Sequence, residues 1–167
     1  MKARWIVLLG LLTVVLVAAV PLTLPRNKAG RVQYVEVTQV PGVPPTELMK
    51  RARLWLAQRA HTAADVTVGE EPHCIMAGDS FQVPRQGMPI TVFYTLAFEA
   101  QGNALCSTVG AFSVFDGSVR RPLEYYLKAD GTARMNAWLV ESVDQQARGL
   151  LADLHQALGT SPAAAKK

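Results

Sequence analysis

The chain has 167 residues, of which half are apolar and 18% are charged, with two cysteines and a formal net charge of +4. This composition fits one globular domain and excludes an acidic disordered chain, a disulfide-dense mini-protein and a polytopic membrane protein. The small net charge argues against a nucleic-acid partner.

Residues 1–24 are predicted to be a signal peptide or an amino-terminal membrane anchor. Two basic residues, Lys2 and Arg4, precede an apolar run, and residues 17–19 (Val-Ala-Ala) are small, as a signal peptidase requires. The run, residues 5–24, is also about as long as a membrane-spanning helix, so an uncleaved anchor and membrane contact stay open. Either alternative predicts an exported domain that is periplasmic, secreted or held at the inner membrane. Without this segment the net charge is +2.

The amino-terminal part of the domain is predicted to be a strand followed by a helix. A linker over residues 25–31 precedes a stretch of β-favouring residues over 31–40. Three prolines in residues 41–45 end this strand, because proline cannot donate to a β-ladder. A helix is predicted to begin near Glu47. Its apolar face consists of Leu48, Ala52, Trp55 and Leu56.

Four short strands are predicted to follow this helix. The first lies at residues 66–69 and the second at residues 73–78, and a polar loop with two prolines follows over residues 79–89. The strongest alternation of apolar and polar residues lies at 90–99, and a Gln-Gly-Asn turn leads into a partner strand at 105–115. Short links between consecutive strands predict an antiparallel meander.

A long amphipathic helix is predicted near the carboxyl end. A connector over residues 120–134 precedes it, and a loose tail over residues 159–167 follows it. Its apolar stripe consists of Leu139, Val143, Ala147, Leu150, Leu154 and Leu158. The order β-α-β-β-β-β-α predicts an α+β domain over residues 32–158, with two helices on one face of a single antiparallel sheet. The other face is then wet or covered by a partner.

Several short stretches carry a resemblance to a known family. They are Tyr34-Val35-Glu36-Val37, Val40-Pro41-Gly42-Val43, the helical residues Glu47, Leu48, Ala52, Trp55 and Leu56, and the long hairpin that runs from Ile90 to Asn103. These stretches resemble a family of exported bacterial proteins of unknown function with a TATA-box-binding-protein-like (TBP-like) fold. The resemblance implies that fold and export. It implies no activity, catalytic residue or cofactor.

The sequence contains no short motif typical of a hydrolase, a nucleotide-binding protein or a zinc protease. Its three histidines, at positions 61, 73 and 155, show no spacing that indicates a shared site. We therefore predict no cofactor, metal ion or catalytic residue, and whether the chain is an enzyme stays open.

One local cluster, Glu70-Glu71-Pro72-His73-Cys74, contains side chains that bind metals. Adjacent residues of a strand point to opposite faces of a sheet, so these side chains would not converge without ligands from elsewhere. The cluster is therefore interpreted as a polar turn.

Cys74 and Cys106 would suit a disulfide in an exported protein. The predicted meander places them on the second and fourth of its strands, on the order of 10 Å apart. That separation exceeds the span of a disulfide. It favours two buried free thiols over a bridge.

A positively charged and aromatic stretch is the candidate ligand or partner surface. It consists of Arg120, Arg121, Tyr125, Tyr126 and Lys128. These residues could bind a polyanion, a glycan or a membrane surface. The alternative is a solvated connector whose tyrosines pack on the edge of the domain.

Three functional hypotheses follow from these observations. The first is a non-enzymatic module that binds an envelope protein or a small ligand, through the exposed sheet face or the loop at residues 79–89. The second is an enzyme that uses dispersed acids such as Asp79, Glu99 or Asp116. The third is a structural component that self-associates through the sheet around Tyr94.

Overall fold

The structure is a computed structural model that describes residues 22–59, 74–85 and 87–159. Within these ranges the chain forms five strands, two α-helices and a short 3-10 helix. The strands are β1 (Gln33–Gln39), β2 (Cys74–Val83), β3 (Ile90–Gln101), β4 (Ala104–Phe115) and β5 (Arg120–Pro122). The helices are α1 (Pro45–Arg59), the 3-10 helix (Leu123–Tyr126) and α2 (Ala137–Gly159).

The strands form one antiparallel sheet in the order β1-β4-β3-β2. β3 pairs with β4 along its length, so β1 and β5 share the opposite edge of β4. β1 pairs with residues 104–110 of β4, and β5 pairs with residues 113–115. The short β5 therefore continues the position of β1 in the sheet.

The helices α1 and α2 lie on one face of this sheet, as predicted. Every member of the predicted apolar stripe of α2 is buried, and so is every member of the predicted apolar face of α1. The indole of Trp55 packs edge-to-face on Phe98 of β3, with ring centres 6.0 Å apart. The α+β class and the single antiparallel sheet with two helices on one face are thus confirmed.

β2 is longer than predicted, because the loop predicted at residues 79–89 is strand as far as Val83. Asp79 and Phe81 alternate with polar residues and face the helices. The hydroxyl of Tyr94 donates to Asp79 Oδ2 at 2.6 Å, and the ring of Phe81 lies 5.8 Å from that of Tyr94. The hydrogen bond from buried Tyr94 thus accommodates Asp79 within the strand, although the polar residues of this stretch predicted a loop.

The folded domain begins before the predicted boundary at residue 32. Leu24 is 2% exposed, and its amide donates to the carbonyl of Gly131. The guanidinium of Arg26 donates to the carbonyl of Lys128 at 2.8 Å. Residues 23–26, predicted as the end of the leader and the start of a linker, therefore pack against the segment that follows the 3-10 helix.

Four sequence predictions fall wholly or mainly outside the described residues: the leader over residues 1–21, the strand at residues 66–69, the cluster before Cys74 and the tail from residue 160. None of the helices in the described parts of the chain has the length and hydropathy needed to cross a bilayer.

Candidate functional site

The open face of the sheet, defined as the side chains of the strands that point away from the helices, is the candidate site. The strand register arranges these side chains in rows across the sheet. The row nearest the β3–β4 turn consists of Gln39, Ala104 and Gln101, and the second row consists of Val37, Cys106, Glu99 and Cys74. The next row consists of Val35, Thr108, Ala97 and Met76.

This face carries apolar and uncharged polar side chains and little charge. Val35 is 56% exposed, Val37 is 60% exposed and Met76 is 48% exposed. Among the described residues of β1 to β4, Glu99 is the one charged side chain on this face. An antiparallel sheet that faces water usually presents polar residues on that side. Val35, Val37 and Met76 depart from that pattern, and exposed apolar side chains on one face mark interaction sites.

A shallow depression of about 320 Å³ lies in the open face. It forms where β4 carries a bulge, since the register shifts between Phe93 and Thr95 of β3. Ala111, the extra residue, has a positive φ of 50°. A bulge bends its strand and increases the local twist, which makes the face concave at this point.

Of the five predicted surface residues, Arg121, Tyr125 and Tyr126 contact one another, and Arg120 and Lys128 lie apart from them. Arg120 joins the open face, with its guanidinium 4.1 Å from the ring centre of Phe93. Arg121 points to the other side, 5.0 Å from the ring of Tyr125. Tyr126 is 5% exposed and belongs to the core, whereas Lys128 is exposed. The predicted surface as a whole therefore stays a prediction, with Arg120 as its member on the open face.

Two solved structures resemble this fold closely. A TBP-like protein from Parabacteroides distasonis superposes with a TM-score of 0.70, covering 82% of this chain and 97% of that chain at 11% identity. This chain has a TBP-like fold. A DUF4468 family protein from Bacteroides ovatus gives a TM-score of 0.67, covering 83% of this chain and 91% of that chain at 14% identity.

These likenesses confirm the TBP-like fold implied by the resemblance in sequence. One neighbour is named for its fold and the other for a bacterial family of unknown function, so neither name carries an activity. No family model and no curated protein sequence matches this chain. The function of the TBP-like domain must therefore be argued from its own surfaces.

The acids of the enzyme hypothesis lie apart in the TBP-like domain. Asp79 faces the helices and lines a cavity of about 660 Å³ with Tyr94, whereas Glu99 points from the open face. Asp116 lies beyond the end of β4, where it accepts hydrogen bonds from Ser118. Burial and the hydrogen bond to Asp79 raise the pKa of Tyr94 above its ordinary value. These acids do not form one catalytic pair.

The two cysteines of the TBP-like domain flank Glu99 on neighbouring strands. Cys74 lies opposite Glu99 on one side and Cys106 on the other, which separates the cysteines by two strand spacings, about 10 Å. Both are free, as predicted. They are half-buried on the open face, so the prediction that they belong to the core is wrong. In the described part of the chain, no three His, Cys, Asp or Glu side chains could hold a metal ion together.

A further cavity, of about 630 Å³, lies between the outer edge of β1 and α2. The hydroxyl of Tyr34 donates to Asp144 at 2.9 Å, and Arg148 donates to both oxygens of the same carboxylate. Nearby, Nδ1 of His155 lies 3.1 Å from Glu36. Burial and the bond to Asp144 raise the pKa of Tyr34 above its ordinary value. Because these polar groups satisfy one another, the network ties α2 to the edge strand.

Proposed function

We propose that this TBP-like domain is a non-enzymatic interaction module whose open face binds a protein. The observation that carries the proposal is the exposure of Val35 and Val37 on β1 and of Met76 on β2, on a sheet whose other face is covered by helices. Covering apolar surface gains about 25 cal/mol for each Å² removed from water. A partner that covers these side chains would remove their apolar surface from water and so gain this free energy.

The absence of strong charge on the open face supports a protein over a polyanion as the partner. Interface centres are depleted in charged residues and enriched in apolar and aromatic ones. Phe93 and Met76 provide such side chains on the same face as the valines. The basic residues of the candidate surface, by contrast, point in different directions, with Arg121 paired to Asp116 at 3.4 Å.

We further propose that the module acts outside the cytoplasm. The basic and apolar character of residues 1–19 supports export. Because Leu24 packs in the core, the apolar run available to a membrane anchor covers at most residues 5–23, which is at the short end of the roughly 17 to 25 residues of spanning helices. This shortening favours a cleaved signal over an uncleaved anchor.

A photocrosslinking experiment tests the binding role of the open face. A photoreactive phenylalanine analogue replaces Val37 in the cells that produce the protein, and the control carries it at Leu54. Leu54 is 49% exposed on α1, away from the open face. The probe at position 37 should give a discrete heavier adduct that the probe at position 54 does not give. No adduct at either position, or the same adducts at both, would contradict the proposal.

A further inference from the structure

Among the side chains of the strands, the open face carries one acid and one base, and both lie over β3; Arg31, which precedes β1, lines the depression beside them. Glu99 projects from β3 itself. The Arg120 side chain reaches from β5 across β4, where its Nε donates to the hydroxyl of Ser113 at 2.7 Å and its guanidinium covers the ring of Phe93. Phe93 and Glu99 are six residues apart, so the two charges are separated by about 20 Å along the strand. In the described strands no other charged side chain is on this face.

The acid and the base lie on opposite sides of the centre of β3, at equal distances along the strand. A twofold axis at that centre therefore exchanges their positions between two copies of the chain. Leu96 lies midway between Phe93 and Glu99. Consider two copies stacked through their open faces and related by a twofold axis. The axis runs between the two sheets, perpendicular to the β3 strands, at the level of Leu96. That axis places Glu99 opposite the partner's Arg120, and Arg120 opposite the partner's Glu99. Two identical ion pairs result, as a twofold interface between identical chains requires.

The rows on either side of Leu96 are complementary in side-chain size at β2 about the same axis. The row that contains Met76 comes to face the row that contains Gly78 and Gly110, because these rows lie on either side of Leu96. Met76 is then opposite the partner's Gly78. A large side chain meets a position without one, which allows two sheets to approach to the usual distance of about 10 Å.

We infer that the open face binds a second copy of this chain, face to face, with Glu99 and Arg120 of each copy paired to Arg120 and Glu99 of the other. This inference rests on the proposed binding role of the open face and names its occupant. The stacking on Phe93 and the bond to Ser113 hold the Arg120 guanidinium in place before binding, so little side-chain freedom is lost when the pair forms.

The test uses charge reversal in protein purified from the producing cells, with the dissociation constant measured by sedimentation equilibrium. Glu99→Lys places two cations together at each pair, and Arg120→Glu places two anions together. Each variant alone should weaken self-association by about tenfold or more. A one-to-one mixture of the two variants should restore association to within about threefold of the original protein, because both pairs are then complementary. Glu141→Lys, on the exposed side of α2, is the matched control and should change nothing.

The variant that carries both substitutions gives an independent check, because its own two pairs are reversed but complementary. It should self-associate like the original protein, and its melting temperature shows that the charges have not unfolded the chain. An original protein that stays monomeric at every concentration, or variants whose mixture regains nothing, would overturn the inference. A crosslinked adduct at position 37 with a different protein, beside a monomeric chain, would overturn the second copy and still support the binding role.

Discussion

At the scale of single residues, several acids of this domain have structural partners in the fold. Asp79 is held by the hydroxyl of Tyr94, and Asp144 by Tyr34 and Arg148. Acids that the sequence leaves available for chemistry are thus structural. Glu99 differs, because it projects from the open face among side chains that carry no charge. The sequence alone does not distinguish Glu99 from the structural acids, since the difference depends on which face of the strand each acid occupies.

Asp116 illustrates a structural acid with a consequence for stability. The amides of Val119 and Ser118 and the Ser118 hydroxyl donate to it, and they lower its pKa from 3.8 to about 2. A folded pKa below the unfolded value adds stability that is complete above the unfolded pKa and is lost as the pH falls toward 2. Asp116→Asn should therefore reduce stability at pH 7 and flatten the loss between about pH 5 and pH 2. Urea unfolding at several pH values measures this, and an unchanged pH dependence would contradict it.

At the scale of elements, both helices follow from their apolar periodicity, and the strands are harder to predict. In β1 the alternation places Val35 and Val37 on one face. From its apolar residues alone, this face would be predicted to face the core. The helices instead cover Tyr34 and Glu36, because Asp144 and His155 on α2 satisfy their polar groups. The face that holds the candidate site was therefore not assignable from β1 alone, since the deciding partners lie more than 100 residues away.

Gly149 is the weak position of α2. It lies on the exposed side of the helix, and an added methyl group there would meet no atom within 4 Å. Gly149→Ala should raise the free energy of unfolding by up to about 1 kcal/mol, because alanine loses less backbone entropy in a helix. Gly102 is the matched control, since it is equally open but has φ of +59°. Gly102→Ala should lower stability by about 1 kcal/mol. Equal shifts for both variants in chemical unfolding would contradict this account.

At the scale of the whole molecule, the domain is a two-layer structure with one layer of helices and an uncovered sheet. The two layers were predictable, because amphipathic helices must bury their apolar stripes on something. What covers the open face was not predictable from the sequence, since the answer depends on how rows from four strands combine. Those rows place uncharged side chains at the centre, a negative charge toward one end and a positive charge toward the other.

The amino terminus also belongs to this scale. Leu24 contributes to the core, so export should remove the leader before that residue. We expect cleavage after Ala19, following the small residues at 17–19, and a mature chain that begins at Val20. Mass spectrometry of the intact protein from the producing cells gives the answer. A chain that retains Met1 would disprove cleavage.

The central claim is that the open face is an interaction surface, and photocrosslinking across that face tests it most directly. Probes at Val35, Val37 and Met76, with Leu54 as the control, sample three positions of the face and one exposed position outside it. The account predicts one adduct mass shared by the three open-face probes and absent from the control, and twice the mass of the chain if the partner is a second copy. Probes on the open face that crosslink no more than the probe at Leu54 would contradict the claim.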